Sequence, residues 1–295
     1  MTIAMCYISP EGVVFGADST ASISVDPGGY HYFNHNQKIF QIGEDSTLAI
    51  STWGLGGVNA VSHRTLIALL ADDLALNPPA TVLEVATRWS NIFWDAFSAD
   101  AGYGPMLQRC QELKEKPPHD PGAKASGART EEEERELHRL RVNLFVGFCL
   151  GGYVLPDRTP LAFEIAVDPL EGKPTPIQIQ HTAVFRGAPN IIQRLIFGCD
   201  DEFEASVLGS PHWTGTRDDF AALRAQHTLS HPLLPIRDAV DFVHTCISST
   251  IKAFKFSNLS QICGGPIELA VITTDRKFRW VRHKLWDSAI SDGGT

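Results

Sequence analysis

The stretch TIAMCYISPEGVVFGAD, residues 2–18, decides the fold. An apolar run from Ile3 to Ile8 meets the turn Pro10-Glu11-Gly12, and a second apolar run follows from Val13. This pattern predicts a β-hairpin whose strands are buried on at least one face, with the turn chemistry at Pro and Gly. Thr2 then opens a core strand, which would hold its hydroxyl in a fixed place. Removal of Met1 would leave a threonine carrying a nucleophilic oxygen and a free amine on one residue, able to act as nucleophile and general base together. Asp18 closes the second strand, 16 positions after Thr2. Taken alone, it is equally an ordinary solvated strand end.

Working outward, NHNQKIFQIG (34–43) sets Lys38 at the head of a short apolar strand. TLAISTWGLGG (47–57) predicts a buried strand that breaks into a Gly-rich turn, with a helix from Val58 to about Asn77. Thr81-Val-Leu-Glu84 has the spacing of a capping box behind Pro78-Pro79. Val82, Val85, Trp89, Ile92, Phe93 and Phe97 follow at helical spacing and form one apolar stripe, read as core packing. KEKPPHDPGAKASGAR (114–129) is a mobile excursion by composition. TEEEERELHRLR (130–141) predicts a solvated helix with the acids of its first turn at the favourable end of the dipole.

Strands resume with LFVGFCL (144–150), apolar on both faces, then a turn at Gly151-Gly152, LAFEIAVDP (161–169) and PIQIQ (176–180). A helix is expected from Asn190 to Phe197 after the turn at Gly187, and an amphipathic one from Asp238 to Phe254. Ile267–Ile272 and Phe278–Val281 are the closing strands. Strands buried on both faces are unusual in antiparallel sheets. Two such sheets enclosed by helices explain them, so the expected fold is α+β, a four-layer αββα sandwich. It is expected as a single domain over residues 1–295, with a mobile or helical excursion at about 100–141.

A net charge of −9 disfavours nucleic acid or an anionic membrane as partner. No stretch approaches the roughly 18 apolar residues of a membrane span, and no basic region with an apolar core marks a signal peptide. Cys6, Cys110, Cys149, Cys199, Cys246 and Cys263 are scattered, without CxxC pairs. They read as reduced core thiols of a cytoplasmic protein, against structural zinc or a disulfide scaffold. The HxxxH pairs His31/His35 and His227/His231 lack the helix that metal binding at that spacing needs, so no metal and no cofactor is expected. GLGGVNA lacks the P-loop lysine, and no Gly-x-Ser-x-Gly elbow is present.

As a set, Thr2, GVVFGADS with Asp18, KIFQI with Lys38, the strand running into a Gly-rich turn, and SQICGGPIELAVITTD (260–275) resemble proteasome β-type subunits, of the N-terminal nucleophile hydrolases. The likeness is to a divergent bacterial-type homologue. It implies a threonine peptidase in which Thr2 attacks a peptide carbonyl and its own amine takes the proton. The ammonium of Lys38 would sit beside the hydroxyl and stabilise the alkoxide, with Asp18 holding Lys38 charged. A backbone N–H of Thr52, Trp53 or Gly54 would form the oxyanion hole, the choice among them left open.

The chain departs from the family at supporting positions. Gly187-Ala188-Pro189 lacks a hydroxyl, and Ser260 and Cys263 stand where the family has an Asp and a Ser ahead of the Gly264-Gly265 pair. Three readings stay open: a peptidase acting on peptides or proteins within a ring or other homo-oligomer, an amidohydrolase acting on a small amide, and a catalytically silent structural subunit. Silent α-type subunits carry a helix ahead of the first strand, whereas this chain starts at the strand. An unfoldase partner is left undetermined.

Overall fold

A computed structural model describes residues 2–25, 29–58, 61–119, 127–180, 182–229, 233–258 and 262–284. In chain order the strands begin with β1 (Ile3–Ser9), β2 (Gly12–Ala17), β3 (Ala21–Val25), β4 (Gly29–Phe33), β5 (Ile39–Gln41) and β6 (Leu48–Gly54). Four helices follow: α1 (His63–Leu76), α2 (Val82–Ala99), α3 (Tyr103–Glu115) and α4 (Glu131–Leu144). Next come β7 (Val146–Gly152), β8 (Leu161–Val167), β9 (Ile177–Gln178) and β10 (Ala183–Gly187). The chain then runs through α5 (Asn190–Phe197), α6 (Asp201–Leu208), α7 (Arg217–His227), α8 (Ile236–Phe256), β11 (Glu268–Thr273) and β12 (Arg276–Arg282). The fold is therefore mixed α and β with antiparallel sheets, and it divides into two units.

The first unit takes residues 1–39, 181–275 and 279–295. Its sheet has the order β10-β1-β2-β11-β12. The expected hairpin forms, with Ala4 opposite Ala17 and Ser9 opposite Gly12, and every residue of β2 is buried. One face of this sheet (Ile3, Met5, Tyr7, Val14, Leu269 and Val271) packs with Ile192 of α5 and with Ala239, Val243 and Ile247 of α8. The period of two along a strand puts these alternate residues on one side, and the stripe on α8 has the spacing that meets them. Helix α8 is longer than its predicted core of Asp238–Phe254, and α5 keeps its predicted bounds. Strands β3 and β4 pair with each other, with Ile23 opposite His31.

The second unit takes residues 40–180 and 276–278. Its sheet has the order β5-β6-β7-β8-β9, with Leu48 opposite Gly152 and Val146 opposite Val167. The predicted stripe of α2 buries Trp89, Phe93 and Phe97 completely, and the Trp89 and Phe93 rings lie 5.0 and 4.7 Å from that of Phe148 on β7. Burying a side chain such as Phe93 contributes about 1.5–3 kcal/mol, so this stripe is the main tie between helix and sheet.

Four expectations shift locally. The helix after the Gly-rich turn starts at His63, not Val58, because Ser62 caps it by accepting from Thr65 N, while Val58 and Val61 form an isolated bridge. Thr81 caps α2 as expected, but the carboxylate of Glu84 accepts from Ala80 N rather than closing a full box. PIQIQ keeps only Ile177–Gln178 as strand. In α4 the capping box at Thr130 and Glu133 is complete, and its acids reach other elements. Glu136 takes a bidentate pair from Arg109 of α3 at 3.1 and 2.9 Å, and Glu134 pairs with Arg129 at 2.6 Å. Among the described residues no helix is long and apolar enough to cross a membrane.

Candidate active site

Asp18 follows directly on β2, and its carboxylate is fully buried. Such an anion survives burial only with donors on every side. Oδ1 accepts from Ile3 N at 3.0 Å and from Lys38 Nζ at 2.6 Å; Oδ2 accepts from Thr20 N at 3.2 Å and Gly264 N at 2.8 Å. The antiparallel register makes this possible. Asp18 N also donates to Ile3 O, so the end of β2 is locked against the start of β1.

Lys38 lies just ahead of β5 and is buried, donating also to Thr20 O at 2.6 Å. Burial pushes its amine below the usual lysine range, and the Asp18 carboxylate opposes that by attraction and hydrogen bonding. The segment between them is stitched from both sides. Ser19 N donates to Gly264 O, Ser19 Oγ to Pro266 O at 2.6 Å, Asn36 N to Ser19 O, and Thr20 Oγ1 to Asn34 Oδ1 at 3.0 Å. The Gly264-Gly265 pair therefore has a defined task. Gly264 supplies an amide to Asp18, and Gly265, at φ +70, lies so close that a Cβ there would stand 2.6 Å from Asn34 O.

Thr2 is buried beside β10, immediately ahead of β1. Gly187, at φ +88, faces it so closely that a Cβ would lie 1.9 Å from the Thr2 carbonyl oxygen. Only glycine fits both demands. The structure thus gathers Asp18, Lys38 and the residue following Thr2 around one carboxylate oxygen. Cys263 is fully buried in the same unit, and burial, reinforced by the negative charge of Asp18, pushes its thiol up to about 12. Ala188 is buried. Ser260 and His231 lie outside the described residues. Thr52, Trp53 and Gly54 close β6 in the second unit, opposite Phe148, Gly147 and Val146 of β7.

Sequence reasoning missed Glu268. This carboxylate is fully buried on β11, opposite Ala17, and its Oε2 accepts from Lys38 N at 3.3 Å. The available signal was a single acid inside the apolar run Pro-Ile-Glu-Leu-Ala-Val-Ile (266–272).

Comparison with known proteins places the fold. No protein-family model matches the chain, and no curated protein matches it. Among solved structures it is similar to the Anbu complex from Pseudomonas aeruginosa, a helical assembly, at 14% identity and a TM-score of 0.53, over 98% of this chain and 90% of that one. It is also similar to an Anbu mutant from Hyphomicrobium sp. strain MC1, at 12% identity and a TM-score of 0.51, over 99% and 91% of the two chains. At such identities the likeness is one of fold: a proteasome-like fold of the Anbu type. The resemblance to proteasome β-type subunits drawn from the sequence is corrected accordingly, because these neighbours are Anbu proteins. Short motifs around Thr2, Asp18, Lys38 and the Gly-Gly pair report how two strands are pinned together, and such pinning does not single out one family sharing the fold.

Proposed function

We propose that the chain is a hydrolase that uses Thr2, freed of Met1, as its nucleophile on peptide bonds. One observation carries this reading: a single buried oxygen, Asp18 Oδ1, accepts both the Lys38 ammonium and the amide next to Thr2. In this reading the Lys38 ammonium disfavours protonation of the Thr2 amine and stabilises a developing alkoxide. The α-amine, with an ordinary value of about 7.7–8.0, suits a general base at neutral pH. It accepts the hydroxyl proton as Oγ1 attacks the carbonyl; the proton then passes to the leaving amine, and water hydrolyses the ester. Cys263 would support the orientation of the amine.

The architecture we assign is the four-layer αββα sandwich, supported by one five-stranded sheet with its own helices in each unit. The P. aeruginosa neighbour is a helical assembly, and by that likeness we assign homo-oligomeric assembly to this chain. Six buried cysteines outside any disulfide suit a reducing compartment, for which we propose the cytoplasm.

The catalytically silent reading has one observation in its favour, the buried thiol of Cys263 at a supporting position. The experiment that separates them combines intact mass with labelling by a peptide epoxyketone, which requires a hydroxyl and a free amine on one residue. Loss of Met1 together with labelling that Thr2→Ala abolishes supports the hydrolase. Retained Met1, or peptide turnover that survives Thr2→Ala, overturns it.

A further inference from the structure

Glu268 stands on β11 beside the strand that carries Asp18, and it is as deeply buried. Its two oxygens face different parts of the chain. Oε2 accepts from the main-chain N–H of Lys38 at 3.3 Å. Oε1 lies within ion-pair distance of His283 Nδ1 (3.1 Å) and Lys284 Nζ (3.3 Å), both just past β12, although neither contact has hydrogen-bond geometry. Lys284 also donates to His35 O at 2.8 Å, and the His283 ring stacks on Trp280 with centroids 4.1 Å apart. A buried carboxylate is tolerated only when paired and hydrogen-bonded, and here the pairing comes from the end of β12 while the hydrogen bond goes to Lys38. A residue serving β12 alone would have no reason to engage the Lys38 backbone.

We infer that Glu268 is a positioning residue for Lys38, and that His283 and Lys284 hold its carboxylate in place from the end of β12. This rests on the reading of Lys38 given under Proposed function. Through the Lys38 amide, Glu268 fixes where the lysine side chain departs, and Asp18 fixes where it ends. Asp18 acts most strongly on the ammonium, and Glu268 adds a weaker attraction. The charge of Glu268 favours the protonated lysine, so the residue fixes where Lys38 sits and adds to the hold of Asp18 on its proton.

The test compares Glu268→Ala and Glu268→Gln in the full chain by the rate of epoxyketone labelling against pH. Lysine carrying 13C at Cε reports the titration of Lys38 in parallel. Misplacement of a reacting group by about 1 Å costs on the order of 100-fold, and Glu268→Ala is expected to slow labelling by about that factor. Glu268→Gln keeps an acceptor for the Lys38 amide and recovers most of the rate, while Lys38 loses its proton at lower pH than in the parent. Equal losses in both variants with an unmoved Lys38 titration would overturn the proposal. A titration that moves although Thr2 never labels would leave the positioning of Lys38 standing and sink the nucleophile reading instead. Should Glu268→Gln fail to fold, Lys284→Met at the strand end reads the same chain of contacts: slower labelling supports the proposal, and an unchanged rate overturns it.

Discussion

Asp18 and Lys38 form a fully buried ion pair at 2.6 Å, and the two partners are not equally dependent on each other. Without the lysine, Asp18 keeps three main-chain donors, from Ile3, Thr20 and Gly264. Without the carboxylate, the ammonium keeps Thr20 O as its acceptor in this cluster, and the three amides lose theirs. Breaking a buried pair from one side costs about 3–5 kcal/mol. Asp18→Ala is therefore expected at or above the top of that range and Lys38→Met near the bottom, by urea unfolding of each variant. Equal losses would show that the backbone donors do not stabilise the isolated carboxylate.

Gly187 controls the approach of β10 to Thr2. Its left-handed conformation costs a non-glycine residue about 1–2 kcal/mol, and a Cβ would also strike the Thr2 carbonyl. Gly187→Ala is expected to destabilise the chain by at least that amount and to slow epoxyketone labelling. A variant that melts and labels like the parent would mean that β10 tolerates displacement from β1.

His63 supplies an acid-sensitive element in the second unit. The first residue of α1, it is buried against the rings of Phe93 and Phe148, and burial pushes it down to about 4. Its Nε2 has no hydrogen-bond partner among the described residues. The unfolded chain takes up a proton near pH 6.5, whereas the folded chain resists until about pH 4. Between those limits the unfolded state binds more protons, so stability falls as the pH falls, by about 3 kcal/mol across the window. Above pH 6.5 this dependence vanishes. Denaturant midpoints measured from pH 7 to 4 check it, and His63→Phe should flatten the slope over that range.

Thr130 closes both halves of the capping box on α4: its hydroxyl accepts from Glu133 N, and its amide donates to the Glu133 carboxylate. Replacing such a cap by Ala costs about 1 kcal/mol. Thr130→Ala is expected to lose that much by urea unfolding, and Thr130→Ser to lose little. Comparable losses in the two variants would assign the effect to the threonine methyl group.

Much of this molecule was legible along the chain. The β1–β2 hairpin follows from apolar runs broken at Pro10-Glu11-Gly12, and α2 from Val82, Val85, Trp89, Phe93 and Phe97 at helical spacing. Start signals erred where two were close together, as with Val58 and Ser62, because the capping hydroxyl outweighed the apolar run before it. Asp18 and Lys38 were ordinary charges at the ends of apolar strands, and only the family resemblance singled them out. Glu268 did not, since one acid in a strand carries no spacing that names its partner.

By itself the sequence determined the local elements, through side-chain periodicity and turn and cap chemistry that act over a few residues. Only the tertiary structure decided what those elements hold together. Asp18 takes a donor from Gly264, 246 positions away, and Glu268 reaches Lys38 across 230. Burial forces these polar groups to find partners, but which partners they meet is set by strand register and by the packing that brings distant segments side by side.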